Sequence, residues 1–248
     1  MGQCIAVVSG KGGTGKTSFT AGVGAALALS GLRVLCVDCD IGLRNLDIAL
    51  GLSDAALMDF SDVAQQRCTL ERAVVSHPQL AKLSLLTAPI RQRGQPVTGE
   101  QMASLLRAVR IQYDFCLLDA PAGLGDGFLL ATAAADRCVV VTTADASSLR
   151  DAQHTVMELG HFGPGKLHLV VNRVRKKLLR SMHATIDDAM DKAGLPLLGV
   201  VPEDDALPLA LNRGSPILLS APASPASSAY RNIATRLRGG KAPLLRIK

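Results

Sequence analysis

One octapeptide constrains the fold of this chain more than any other feature. Gly10-Lys11-Gly12-Gly13-Thr14-Gly15-Lys16-Thr17 satisfies the spacing G-x-x-x-x-G-K-[ST] in full. It stands between an apolar strand-like run and a helical one, which is the context such a loop requires. The glycines let backbone N–H groups turn inward around phosphates, and the following helix adds the partial positive charge of its N-terminus. Lys16 is then placed to neutralise β- and γ-phosphate charge, and the Thr17 hydroxyl to meet Mg²⁺. Ser18 follows and is read with the loop as a nucleotide contact.

The rest of the chain fits the α/β architecture that the loop demands. Apolar runs at Cys4–Ser9, Arg33–Val37, Leu83–Thr87, Phe115–Leu118, Arg137–Thr142, Leu167–Val171 and Leu197–Val201 are nearly continuous rather than alternating, as expected of strands covered on both faces. Between them, helical patterns cover Lys16–Ser30, Gln101–Arg110, Gly127–Ala135, Ser148–Leu159 and Ser181–Ala193, with a last helix at Ala226–Arg238. Gly31 and Gly194 sit where helices end on glycine. The expectation is a single domain over 1–238: a mostly parallel twisted sheet of about seven to eight strands with helices on both faces. Residues 239–248 form a basic and apolar tail, a possible membrane-targeting segment. With 48% hydrophobic and 19% charged residues, wholesale disorder is excluded. No apolar run approaches the roughly 20 residues that span a bilayer. Cys4–Val8 is too short for a signal peptide, so a cytoplasmic protein is expected. The six cysteines are scattered, five of them in or beside strand runs, which suits buried thiols better than disulfides.

Further residues carry site chemistry. Asp38 and Asp40 follow the second strand, in the crevice where α/β proteins bind ligands, and point to one side of an extended chain. They read as Mg²⁺ and water-orienting groups, or as strand-end aspartates in solvent. Leu117-Leu118-Asp119 is an apolar strand ending in an acid, which suits a carboxylate aimed at water held by Mg²⁺. Asp114, Asp136 and Asp145 lack such context and are expected in solvent. Asn172 ends another strand; its amide donates and accepts at once, as an adenine edge requires. Thr87-Ala88-Pro89 is expected to border the site. Cys36-Val37-Asp38-Cys39 is rejected as a metal pair, because i and i+3 on a strand face opposite sides and no second Cys/His pair follows. The run Arg173–Arg180 is read as a solvated basic loop. Of 27 basic residues, seven lie in 206–248, which hold no acid; the first 205 residues carry 20 basic against 21 acidic. A neutral body and scarce aromatics argue against a nucleic-acid face, so nucleic acid is not expected as a partner.

Lys11 is a residue that an ordinary phosphate loop does not need. With it, Lys11–Thr17 resembles the deviant phosphate loop of the MinD/ParA ATPases, a family of P-loop NTPases. The resemblance extends to Asp38–Asp47, Asp119–Gly123, Ser147–Ala152, Asn172-Arg173 and Pro202-Glu203-Asp204, and covers roughly Met1 to Arg238. It implies ATP and Mg²⁺ as cofactors and an ATP-sandwich homodimer in which Lys11 reaches the partner's phosphate. It implies that Asp40 positions water, so that Lys11, Lys16 and Asp40 are catalytic, and that Thr17, Asp38 and Asp119 serve the metal. Nucleotide contacts fall to Gly10–Ser18, Asn172, Arg173, Pro202, Glu203 and Asp204. The segment Leu43–Asp47 is more similar to the MinD branch. That branch implies a slow, partner-stimulated ATP hydrolase that helps to place the division septum and binds an anionic membrane surface reversibly through its C-terminal end, with a division inhibitor and an ATPase activator as partners. A partition ATPase that binds nucleic acid, or a flagellar-placement ATPase of the same fold, is the alternative. Here Lys241–Lys248 is short for an interfacial helix and contains Pro243.

Overall fold

The computed structural model describes residues 1–53, 55–91 and 94–245. Arg246, Ile247 and Lys248, which the sequence reading gives to lipid contact, lie outside the described residues. The chain begins β1 (Gln3–Val8), α1 (Lys16–Leu29), β2 (Val34–Asp38). Three short helices, α2 (Leu46–Leu50), α3 (Phe60–Ala64) and α4 (Leu70–Ala73), and the two-residue β3 (Val75–Ser76) precede β4 (Leu83–Leu86). Then follow α5 (Gly99–Gln112), β5 (Phe115–Asp119), α6 (Asp126–Thr132), β6 (Arg137–Thr142) and α7 (Ala146–Glu158). The last part is β7 (Leu167–Val174), α8 (Lys176–Ser181), α9 (Ile186–Ala193), β8 (Leu197–Pro202), α10 (Ala206–Asn212), α11 (Ile217–Ser220) and α12 (Pro225–Leu237).

Among the described residues the strands form one sheet in the order β3-β4-β2-β5-β1-β6-β7-β8. All pairs are parallel except β3 with β4. Alternate residues of each strand enter opposite cores. Ile5, Val7, Val34 and Cys36 face α1, α2, α10, α11 and α12. Cys4, Ala6, Leu35 and Val37 face α3 to α7 and α9. That two-sided burial is why the strand runs are unbroken by polar residues. Five cysteines are buried free thiols and Cys68 is half-buried, as expected.

The structure corrects several boundaries. The helix expected over Ser181–Ala193 begins only at Ile186: Ser181 is the last residue of α8, His183 takes a left-handed φ of 49°, and α9 follows a Thr185–Asp188 capping box. The basic run Arg173–Arg180 is therefore no loop but the end of β7 and most of α8. Arg173 and Arg175 pair with Glu203, while Lys176, Lys177 and Arg180 are exposed. Asp114, Asp136 and Asp145 are not simply solvated. Asp114 pairs with Arg33 and Asp136 with Arg110, each at 3.0 Å, and Asp145 caps α7 by accepting from Ser148 N.

Tyr230 on α12 is fully buried, edge-on to Phe19 with ring centroids 6.2 Å apart. It lies so close to Gly22 that a Cβ there would strike its ring. Its hydroxyl has no hydrogen-bond partner. Tyr230→Ala should cost about 3–5 kcal/mol in urea unfolding, because it empties the contact between α1 and α12. Tyr230→Phe removes an unpaired buried hydroxyl and should leave stability unchanged or raise it.

Candidate functional site

β1 lies between β5 and β6, and the chain leaves it toward β2 on one side while β6 occupies the other. A crevice must open beyond the C-terminal ends of these strands, and the phosphate loop fills its floor. Gly15 has φ of 89°, and a Cβ there would collide with the Asn172 amide, so only glycine closes the loop against β7. Gly10 is equally confined: a Cβ would run into the backbone of Asp151 on α7.

Lys16 is buried, and its Nζ donates to Ser9 Oγ at 2.8 Å. Burial lowers its pKa, and the charges of Asp119 and Asp40 work against that. Asp119 is the register partner of Val7 on one side and of Asp38 on the other. Its two oxygens accept from Thr17 Oγ1 at 2.7 Å and Thr20 Oγ1 at 3.0 Å. Burial pushes Asp119 up to about 6, against the hydrogen bonds from Thr17 and Thr20 and the charge of Lys16. Asp38 is pushed up to about 7, by burial first and then by the neighbouring Asp119. Among the described residues no group of three His, Cys, Asp or Glu is arranged to hold a metal ion. The paired Thr17 hydroxyl and Asp119 carboxylate nonetheless fit Mg²⁺, which takes few protein ligands and completes its shell with phosphate and water.

Asp38 also has a local structural part. Its oxygens accept from Asp40 N at 2.8 Å and Leu46 N at 3.1 Å, so it fastens both ends of the segment that carries Asp40. Asp40 itself lines the crevice; burial raises its pKa and Lys16 lowers it. The same segment touches the expected border region, where Gly42 N donates to Pro89 O at 3.2 Å.

The crevice encloses about 640 Å³ and joins the phosphate loop, Ser18, Asp40, Asn172, Arg173, Glu203 and Asp204. Asn172 Nδ2 donates to Thr14 O at 2.7 Å, which leaves Oδ1 buried and without a partner. Thr14 Oγ1 is buried and unpaired as well. Orphaned buried polar atoms at a crevice are what a polar ligand would satisfy. Arg173, at φ of 55°, spans the rim: it donates to Gly13 O at 3.2 Å and to both Glu203 oxygens at 2.9 and 3.1 Å. Asp204 is engaged by the backbone, accepting from Ala206 N at 3.0 Å and Ala226 N at 2.9 Å, so it holds the rim loop to α12. Pro202 ends β8 just behind it. Leu207, Pro208 and Leu211 of α10 and Leu43, Asn45 and Ile48 also line the crevice; the sequence reading missed them. The spacing of Leu207 and Leu211 directly after Pro202–Asp204 was the available signal.

Lys11 is not in its own crevice. Its Nζ donates to Ser147 Oγ at 2.8 Å and Asp145 Oδ1 at 3.3 Å, on the α7 side of the loop.

The family model described as the CobQ/CobB/MinD/ParA nucleotide binding domain matches residues 5–217. The chain belongs to that nucleotide-binding family. It is 37% identical to the septum site-determining protein MinD of a Synechocystis species, covering 99% of this chain and 92% of that protein. Among solved structures it is similar to the MinC:MinD cell division complex of Aquifex aeolicus, with a TM-score of 0.90, 35% identity and 99% of both chains covered. A MinD from Pyrococcus horikoshii complexed with Mg-ADP matches at a TM-score of 0.82 and 29% identity, over 96% of each chain.

The raised carboxylates fix a pH dependence. Asp119 and Asp38 hold protons in the folded chain between 3.8, the ordinary value, and about 6 to 7. The unfolded chain has released them there, so these two groups contribute stability that is lost as pH rises through that window, against an opposite contribution from His77 and His168, whose pKa burial lowers. The loss is roughly 1.4 kcal/mol for each pKa unit of separation. Urea titrations from pH 4 to pH 7 read this slope, and Asp119→Asn should flatten it.

Proposed function

We propose that the chain is a MinD-type, Mg²⁺-dependent ATP hydrolase that acts in placing the division septum. The observation that carries this reading is one crevice that unites a complete phosphate loop, Asp40 beside Lys16, and the unpaired Oδ1 of Asn172. That oxygen suits the exocyclic amine of adenine and gives guanine no equivalent donor at the same place. The similarity to MinD proteins over nearly the whole chain supports the cellular role.

Within the crevice, Gly12, Gly13 and Gly15 bring backbone N–H groups to the phosphates, and Lys16 places a fixed positive charge there. Thr17 and Asp119 would hold Mg²⁺, directly or through its waters; the ion, when bound, neutralises charge on the β- and γ-phosphates. Asp40 orients the attacking water, and Asp38 keeps Asp40 in place through the two backbone hydrogen bonds. Arg173, Pro202, Glu203 and Asp204 close the adenine side.

In this reading Lys11 serves a homodimer with nucleotide between the protomers. Lys11 stands outside its own crevice, where it is free to serve a second copy once it leaves Asp145 and Ser147. Exposed Ile41, Leu43 and Ile48 near the Asp40 segment, and Leu209 on α10, offer apolar surface for that contact. A division inhibitor of the MinC kind is the expected protein partner, together with an activator of hydrolysis. Among the described residues no helix is long and apolar enough to cross a membrane. Membrane association in this reading is peripheral, through Leu244, Leu245, Ile247 and the basic residues of the tail, and two tails on one dimer act together.

Lys16→Ala should lose ATP binding and lower turnover at least roughly hundredfold, the scale on which removing one fixed electrostatic group acts. Asp40→Ala should still bind ATP and dimerise but hydrolyse slowly, whereas Lys11→Ala should bind ATP and stay monomeric. Size-exclusion with ATP and Mg²⁺ separates these cases; a Lys11→Ala dimer of parental strength would sink the cross-protomer role. Asn172→Ala should weaken ATP about tenfold while leaving GTP little changed, measured by competition binding.

A further inference from the structure

The sheet ends at β8, an open edge whose carbonyls need a partner or a cover. Arg236 on α12 supplies part of it: its guanidinium donates to Leu198 O at 2.9 Å and Leu197 O at 3.4 Å. The same guanidinium donates through Nε to Ala242 O at 3.1 Å. One turn earlier on the same helix face, Asn232 Nδ2 donates to Pro243 O at 3.1 Å. Two side chains at i and i+4 thus grip two consecutive carbonyls of the tail and lay it over the sheet edge.

The segment beyond them meets apolar surface on both layers. Leu245 packs against the core that contains Leu198, Ile233 and Leu237. On the other layer a groove of about 660 Å³ is lined by Ile186, Met190, Leu197, Val200, Leu244 and Leu245. Leu244 lines this groove yet remains 42% exposed, so it is only partly covered there.

We propose that the groove between α9 and β8 is a docking site for the chain's own Lys241–Leu245, and that docking there excludes insertion of Leu244 and Leu245 into an anionic lipid surface. The proposal rests on the membrane part of the reading above. The exclusion is steric: leucine side chains held against α9 and β8 cannot enter the lipid at the same time. The lipid therefore meets only the fraction of molecules whose tail has left the groove, and its apparent affinity falls by that fraction. Asn232 and Arg236 set that fraction from outside the nucleotide crevice.

Two variants on different elements test this, Asn232→Ala on α12 and Met190→Glu on α9, both in the full chain. The first readout is trypsin cleavage after Lys241. The second is flotation with phosphatidylglycerol vesicles, with phosphatidylcholine vesicles as the uncharged comparison, each without nucleotide and with ATP. Retained ATP binding shows that the variants are folded. Both variants should be cut about tenfold faster than the parent and bind phosphatidylglycerol vesicles about tenfold more tightly without nucleotide. A tenfold change corresponds to about 1.4 kcal/mol. Adding Leu244→Asp should remove the gain in binding. Parental protection of Lys241 in both folded variants overturns the docking site. Faster cleavage with no gain in vesicle binding, while the parent binds vesicles with ATP, overturns the competition and leaves the membrane reading standing. If parent and variants hydrolyse ATP yet bind no vesicle in any state, the membrane reading fails and the competition with it.

Discussion

The carboxylate of Asp119 is the brace on which the site depends. It stands at the buried end of β5, and the two threonines that donate to it, Thr17 and Thr20, are one turn apart at the start of α1. A lone charge at that depth would cost several kcal/mol, so the threonines are required wherever the carboxylate ionises. The same two bonds fix the first turn of α1 against the sheet, and with it the loop that ends at Lys16. Asp119 and Asp40 raise the cost of ionising Asp38, and Asp40 raises that of Asp119. Asp119 and Asp40 act on the one buried lysine with Asp38 beside them, and once ionised they leave an excess of negative charge that a divalent cation would relieve. The floor of the crevice is thus held in place by buried hydrogen bonds and electrostatically incomplete in the same place.

The sequence makes this floor legible because each of its parts is local. The phosphate loop is eight consecutive residues, and Asp38 and Asp119 each end an apolar strand. Cores on both faces of the sheet keep the strand runs continuous, so the central strands stand out as well. Helices α2, α3 and α4 leave no such trace; at four or five residues they are shorter than the period needed to reveal them, and tertiary packing decides them. The break between α8 and α9 is written in Thr185-x-x-Asp188, but the helical pattern of apolar residues runs across it. Asp145 carried a readable sign, an acid three residues before Ser148 at a helix start, that isolated inspection of its charge overlooks.

What the sequence does not reveal are pairs made by the fold. Arg173 and Glu203 lie 30 positions apart and meet only because β7 and β8 are neighbours. Lys11 and Asp145 meet only because the loop after β1 faces the start of α7. Neither end of such a pair carries a local pattern, since charge alone does not say which opposite charge it will find. The family resemblance gave Lys11 a role toward another protomer; it did not give the place where Lys11 rests in a single chain.

The two classes of contact differ in strength as well as in legibility. The floor is built from buried groups, where each hydrogen bond acts in a low dielectric and losing a partner strands a polar atom. The rim and the edge are held by exposed pairs. Lys11 and Asp145 have 37% and 46% of their side chains in water, and such ion pairs contribute about 0–1 kcal/mol. Arg173 is 49% exposed where it bridges to Glu203, and Asn232 is only half-buried where it holds the tail. Differences of that size are readily outweighed by binding a nucleotide, a second copy or a lipid surface. In the proposed reading the contacts of Lys11, the Arg173 rim and the segment over β8 are the ones that give way, and the buried contacts of Lys16 and Asp119 need not change with them.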